Sequence, residues 1–447
     1  SANGERAVIR KDNDMFVTTV DDAFKTKGLG EKLDLQGLIY VADPRAEWGQ
    51  IFTDAWRWYR DFFYDAEFHG RDWKAMGDKY RAYLPALSSR DELNWVLSQM
   101  VGELCVSHTY VGGGDPGPQA PPQQSPAFTG LLGADLVADK VSGLYRLDKI
   151  YGPNAINLNL RGPLVGPDKD VREGDYLIAV NGTAVRPPED YFRLLQTTPG
   201  RKVSVTVNSK PTAIGAKTFE VEPLRNDQPL RYFRWLADNV DKVLKATGGR
   251  VGYMHINAMG SGGIAEFDKF WRAFRNKDGV IIDVRRNSGG WTEYFIIDKL
   301  ERVLNSYNVL RGMVPFRYPG SAGNGNYVVI SNENNGSDGE AFVEHFKTSK
   351  LGSVVGVPSW GGLVGILNRQ LTIDNGSVEQ SNNAFYGRGG TWLVENHGAD
   401  PDVLVDNDPD SVMAGRDLQL EKAIEITMEK IKANPLMFPE RPAYPKK

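Results

Sequence analysis

At 447 residues, with 41% hydrophobic and 25% charged side chains, the chain is too long for one ordinary core and suits two or three domains. Ordinary apolar content and a single cysteine, Cys105, exclude disordered, collagen-like and disulfide-scaffold classes. A net charge of −4, and no apolar run of bilayer length, argue against a dedicated nucleic-acid binder and against a membrane protein.

The chain begins Ser1-Ala2-Asn3 without methionine, so it reads as a processed or fragmentary start. The first hundred residues read as helical. Ile51, Phe52, Ala55, Tyr59, Phe62 and Phe63 recur at the spacing of one buried helix face, and Trp73, Met76, Tyr80 and Leu84 form a second stripe. Ser89 and Glu92 resemble a capping box opening a third helix, which ends near Gly102 and delivers Cys105–Tyr110 as an extended segment. Residues 111–126, with three consecutive glycines and five prolines, form a linker. Short strands follow at Ala155–Leu160, Tyr176–Val180, Lys202–Asn208 and Thr218–Val221, with a helix at Glu189–Gln196 and a tight turn at Asn181-Gly182. From Leu230 strands and helices alternate: strands at Val251–Ile256, Val280–Val284, Tyr327–Ser331 and Ser353–Val357, and a last helix at Leu418–Ile431. This order predicts a mostly parallel α/β sheet.

Strand ends leading into helices are where such sheets place ligands and nucleophiles. The run Asp283–Gly290 leaves one buried strand through small residues, and Ser331–Gly339 leaves another and puts Ser337 at a helix N-terminus. Unsatisfied amides and the helix dipole favour developing negative charge there, which suits acyl transfer. The Asp338 amide, with that of Gly289 or Gly290, would form an oxyanion hole. The plainer reading of Ser337 is an N-cap, and the local string lacks a Gly-x-Ser-x-Gly elbow. A nucleophilic serine needs a base. Among five histidines, His69 reads as a loop residue, His255 as a satisfied core residue, and His345 as lying two turns along the serine's own helix. His108 and His397 stay even on spacing.

Residues Gly102–Leu104 and Ser107–Asp115 closely resemble the strand before the central module of the tricorn core proteases. So do Asn335–Gly339, Trp360-Gly361-Gly362, and Val394–Gly398 with Pro401-Asp402, in the family's order across essentially the whole chain. The resemblance implies an α/β multidomain protein: an N-terminal helical subdomain (1–115), a linker (116–127), a PDZ-like module (128–226) carrying Val171–Gly182, and a crotonase-like peptidase domain (227–447). It implies a serine peptidase of oligopeptides, working through an acyl-enzyme without metal or cofactor. Ser337 is its nucleophile, His108 its base, and Ser107 and Glu395 the rest of a tetrad. Gly290 and Asp338 supply the oxyanion amides, and Gly365 and Ile366 pair with an extended substrate. It further implies a hexamer in the cytoplasm, with export the alternative if a signal peptide has been removed.

Two departures stand out. The family's β-propellers are missing, so the chain reads as the catalytic end of something longer. Asn308 falls where the family has an acidic residue for basic P1 side chains, which points to neutral P1 residues. A Ser–Lys dyad fails because no lysine occurs between Lys350 and Lys422, and no His-Glu-x-x-His string favours a metalloprotease. The remaining alternative is a non-catalytic, PDZ-containing peptide-binding scaffold.

Overall fold

The computed structural model describes residues 3–446 except 13, 26–28, 36, 39–40, 118–127, 198–199, 368 and 438. Most of the expected linker therefore lies outside the described residues.

The first helix, Pro44–Phe62, starts at Asp43, whose carboxylate accepts the Arg45 and Ala46 amides, and Pro44 sits where no helical N–H is needed. It buries Ile51, Phe52, Ala55 and Tyr59 against helices Trp73–Arg81 and Arg90–Gly102. The last of these begins at Ser89, whose hydroxyl accepts the Glu92 amide at 3.2 Å. Ahead of them the expectation of helix fails. Arg6–Lys11, Asp14–Thr19 and Glu31–Lys32 form a three-stranded antiparallel sheet. Val8, Ile9, Val17, Thr18 and Thr19 are β-branched, and Asp12 takes the positive φ of the reversing turn.

The helical core is not closed by its own sequence neighbours. Val378 completes it, and the Tyr59 hydroxyl donates to the Glu379 carbonyl at 2.7 Å. Tyr110–Gly112 pairs with Ser377–Glu379, which pairs with Arg369–Leu371. Arg90 and Asp374 add an ion pair with both side chains about 95% buried.

Between these halves sits an antiparallel module ordered Lys217–Val221, Val203–Asn208, Tyr176–Val180, Leu144–Ile150, Ala134–Asp139. Asn181 and Gly182 both take positive φ between Val180 and Thr183, as the tight turn requires. The expected strand at Ala155–Leu160 is irregular instead. The Asn154 side chain accepts the amides of Ile156 and Asn157, and that of Asn157 accepts Asn159, so the asparagines turn the backbone themselves. The expected helix at Glu189–Gln196 is one 3₁₀ stretch, Tyr191–Leu195. Two strands, Ala134–Asp139 and Leu144–Ile150, escaped prediction because charged residues interrupt their alternation.

The last region is a five-stranded parallel sheet, ordered Val251–His255, Gly279–Asp283, Tyr327–Ser331, Gly352–Gly356, Val403–Leu404. The first three strands are buried at every position, which is why they read as continuous apolar runs. Helices Gln228–Ala246, Ser261–Phe274, Asp338–Thr348 and Leu418–Ala433 pack on the sheet.

Candidate active site

Two strand ends build one wall of the site. Asp283 is fully buried, bonded to the Tyr253 hydroxyl at 2.7 Å and paired with Arg285, which reaches on to Asp417. This network fixes the chain as it leaves the sheet. Asn287, also fully buried, then donates to the Ile256 carbonyl, accepts the Gly289 amide on its side chain, and accepts the Gly336 amide on its carbonyl. One asparagine therefore holds the glycine turn and the serine turn together.

Gly289 and Gly290 are required by contact. A Cβ on Gly289 would lie 2.5 Å from Cβ of Ser337, and one on Gly290 would lie 1.8 Å from the Met259 carbonyl. The Gly289 amide is used by Asn287, whereas those of Gly290 and Asp338 have no acceptor among the described residues. Of the two glycines left open by spacing, Gly290 is the one with a donor to offer. Ser337 has φ 55° and ψ −125°, a conformation a side chain disfavours, and its N–H donates to Glu340 Oε2 at 2.9 Å.

The opposite wall comes from far away in sequence. His108 and Ser337 line the same cavity, of about 220 Å³, together with Gly290, Trp291, Leu363, Ile366 and Phe385. The His108 ring lies between Tyr110 and Trp360, with centroids 6.0 and 5.5 Å away. Its Nδ1 is 3.0 Å from Ser107 Oγ. Ser107 Oγ donates to Glu395 Oε2 at 3.2 Å, and the Ser107 amide donates to Oε1 at 2.7 Å. The direction of this chain matters. An ionised carboxylate only accepts, so the hydroxyl proton points to Glu395 and the oxygen accepts Nδ1–H. That tautomer leaves the Nε2 lone pair unprotonated. Burial holds the imidazole below its usual value, against the opposing pull of Glu395 and the Val364 carbonyl.

Other sequence candidates lie elsewhere. His397 is exposed and bonded to Asp400, His69 is held by Tyr64 and the Leu104 carbonyl, and His255 is a satisfied core residue between Tyr232 and the Arg285 carbonyl. His345 bonds to Glu293. Asn308 is exposed on a hairpin of Ser306–Asn308 with Phe316–Tyr318 and does not line the cavity, so the sequence argument for its contact with P1 finds no support within this chain. Gly365 and Ile366 separate too. Both line the cavity, but Gly365 donates to the Asn383 carbonyl and accepts the Asn382 amide, so its backbone is already used, whereas no backbone bond of Ile366 is found among the described residues.

Asp338 carries a second bond set. Its carboxylate accepts the amides of Thr292 and Glu293 at 2.6 and 3.1 Å, tying helix Asp338–Thr348 to the turn after Gly290. Burial, then the neighbouring Glu293, push this carboxyl up to about 7 against those two amides. Asn287, Glu340, Leu363 and Phe385 were missed from the sequence. The Ser337–Glu340 spacing is a capping-box signal that was available, and the other three carry none. Among the described residues no three His, Cys, Asp or Glu side chains converge as metal ligands.

Three family models match consecutive stretches: the tricorn protease C1 domain at residues 44–102, the tricorn protease PDZ domain at 130–226, and peptidase family S41 at 250–405. Tricorn protease homolog 1 of Streptomyces coelicolor is 35% identical over 98% of this chain and 41% of its own. A putative tricorn-like protease C-terminal subunit of Sulfurisphaera tokodaii is 32% identical over 93% of this chain and 47% of its own. A crystal structure of the tricorn protease superposes with a TM-score of 0.84 at 27% identity, over 97% of this chain and 41% of that one. The chain thus spans less than half the length of these relatives. With C1, PDZ and S41 domains in that order, and relatives matched over nearly its whole length, the chain belongs to the tricorn-like S41 serine peptidase family.

Proposed function

We propose that this chain cleaves oligopeptides through an acyl-enzyme on Ser337, with His108 as base and Ser107 and Glu395 setting its tautomer. His108 Nε2 takes the Ser337 hydroxyl proton as Oγ attacks the scissile carbonyl carbon. The oxyanion that forms is held by the amides of Gly290 and Asp338, and His108 then gives its proton to the leaving amine. Water enters, loses a proton to the same nitrogen, and releases the acid and free serine. The observation that carries this reading is the continuous chain Glu395–Ser107–His108 ending in the cavity that Ser337 shares, beside two unspent amides.

The cavity wall supports an apolar P1 residue. Trp291, Leu363, Ile366 and Phe385 line it, and the one carboxylate there, Asp338, is occupied by backbone amides. The backbone of Ile366 is the edge offered to an extended peptide. Assembly as a homo-oligomer, a hexamer by family resemblance, fits the exposed Trp291, Tyr294 and Phe295 on one turn.

A fluorophosphonate probe tests the reading. Labelling is expected at Ser337 and lost in His108→Ala. An inert protein favours the peptide-binding scaffold. Peptides differing only at P1 are expected to show Leu cleaved faster than Arg, and a strong Arg preference sinks the apolar assignment.

A further inference from the structure

Glu340 is fully buried, one turn past Ser337, and has no part in the tetrad. A carboxylate at such a position costs several kcal/mol unless its oxygens are satisfied. Here they meet four donors. Oε2 accepts the amides of Ser337 and Gly362, each at 2.9 Å, and Oε1 accepts the Ser359 hydroxyl and the Gly361 amide, each at 2.6 Å.

The segment on the far side of these bonds continues in one direction. After Gly361 and Gly362, the next two amides, of Leu363 and Val364, donate to Glu395 Oε2 at 2.9 and 2.7 Å. Four consecutive N–H groups are thus divided between two carboxylates, one bound to the nucleophile's backbone and the other to Ser107. The same strap carries Trp360 against His108 and ends at Ile366 in the substrate cavity. The geometry points to Glu340 as the positioning residue that holds Ser337 in its strained backbone conformation and locks the 359–366 strap to it, an assignment that rests on Ser337 being the nucleophile.

The physical reason for a carboxylate is the number of acceptor sites. A Ser337 φ of 55° persists only if neighbours over-determine it. An amide side chain of the same shape accepts on one oxygen and presents an NH₂ to donors on the other side. In Glu340→Gln one side of the bond set must open, freeing either the Ser337 and Gly362 amides or the Gly361 amide and Ser359 hydroxyl.

The test uses the 447-residue chain, with reactive sites titrated and folding followed by circular dichroism. Two rates are read: inactivation by a small fluorophosphonate, which needs no strap, and hydrolysis of a fluorogenic peptide with Leu at P1. Glu340→Gln is expected to keep its fold, to lose on the order of 10²-fold in fluorophosphonate rate, and to raise the peptide KM as the strap shifts. Should that variant not fold, Ser359→Ala removes one donor and is expected to lower the fluorophosphonate rate several-fold, roughly a third of the larger effect on a logarithmic scale. Wild-type rate and KM in folded Glu340→Gln, or in Ser359→Ala if only that one folds, overturns the assignment. A wild-type chain inert to both reagents instead overturns the reading of Ser337 beneath it.

Discussion

Ser107 stands between a carboxylate that accepts and an imidazole whose free lone pair the proposed mechanism uses, and its hydroxyl serves both. Ser107→Ala leaves Nδ1–H without a fixed acceptor, and kcat is expected to fall by about 10²-fold, less than the ~10⁴ found when a directly bonded carboxylate is neutralised in a triad. A kcat within threefold of wild type removes Ser107 from the relay. Burial depresses His108, so the acid limb of kcat/KM is expected to have its midpoint below the ordinary imidazole value of 6.5. A pH–rate profile with its midpoint above that value contradicts this. Asp338 runs the other way. Its carboxyl is raised from 3.8 to about 7, so its contribution to stability is complete below pH 3.8 and is lost as pH rises through about 7. His345, raised by its bond to Glu293, adds a loss of the same sign. Asp338→Asn keeps the shape of the protonated form, and its melting temperature is expected to decline less between pH 5 and 8 than that of wild type. Parallel declines would show that Asp338 is not the titrating group.

At the scale of elements, the site depends on a join between helix Arg90–Gly102 and the turn at Thr372–Gly376. Asp374 is pushed up by burial but pulled well below the carboxylate range by Arg90, Thr372 and the Asp115 amide. Breaking such a pair leaves one charge buried without its partner, so Asp374→Ala is expected to cost about 3–5 kcal/mol. Because Tyr110–Gly112 pairs with Ser377–Glu379 just beyond, the same variant should also slow labelling of Ser337 by displacing His108. Chemical denaturation together with probe kinetics checks both; a variant as stable as wild type denies the join its role. The strands of the parallel sheet were legible because burial on both faces writes them as apolar runs. The hairpin at Arg6–Thr19 carries its signal in β-branched residues, but the stronger helical stripes that follow it outweigh that signal in the sequence.

Across the whole molecule, the PDZ module enters and leaves at one place. Leu131 and Leu224 face each other as an antiparallel bridge, and the core that places His108 is completed by Val378 without it. Replacing residues 131–224 by a short Gly/Ser linker is expected to preserve labelling of Ser337 while lowering the melting temperature, since helix Gln228–Ala246 and its core lose the bond from Asn154 and the packing of Ile156. Loss of labelling in a folded variant would assign the module a direct part in the site.

The sequence by itself determined the domain order, the parallel sheet, the serine at a helix N-terminus and, through its motifs, the family. These are local matters of periodicity, caps and short strings, which physics reads over one or two turns of chain. Spacing left His108 and His397 even and did not separate Gly289 from Gly290, choices that the family resemblance made, and neither foresaw that Gly365 is spent on Asn382 and Asn383. Which groups meet, and which amides are already used, is decided by tertiary structure. Ser107 meets Glu395 across 288 residues of sequence, and an amide counts as free or used only once its neighbours in space are known.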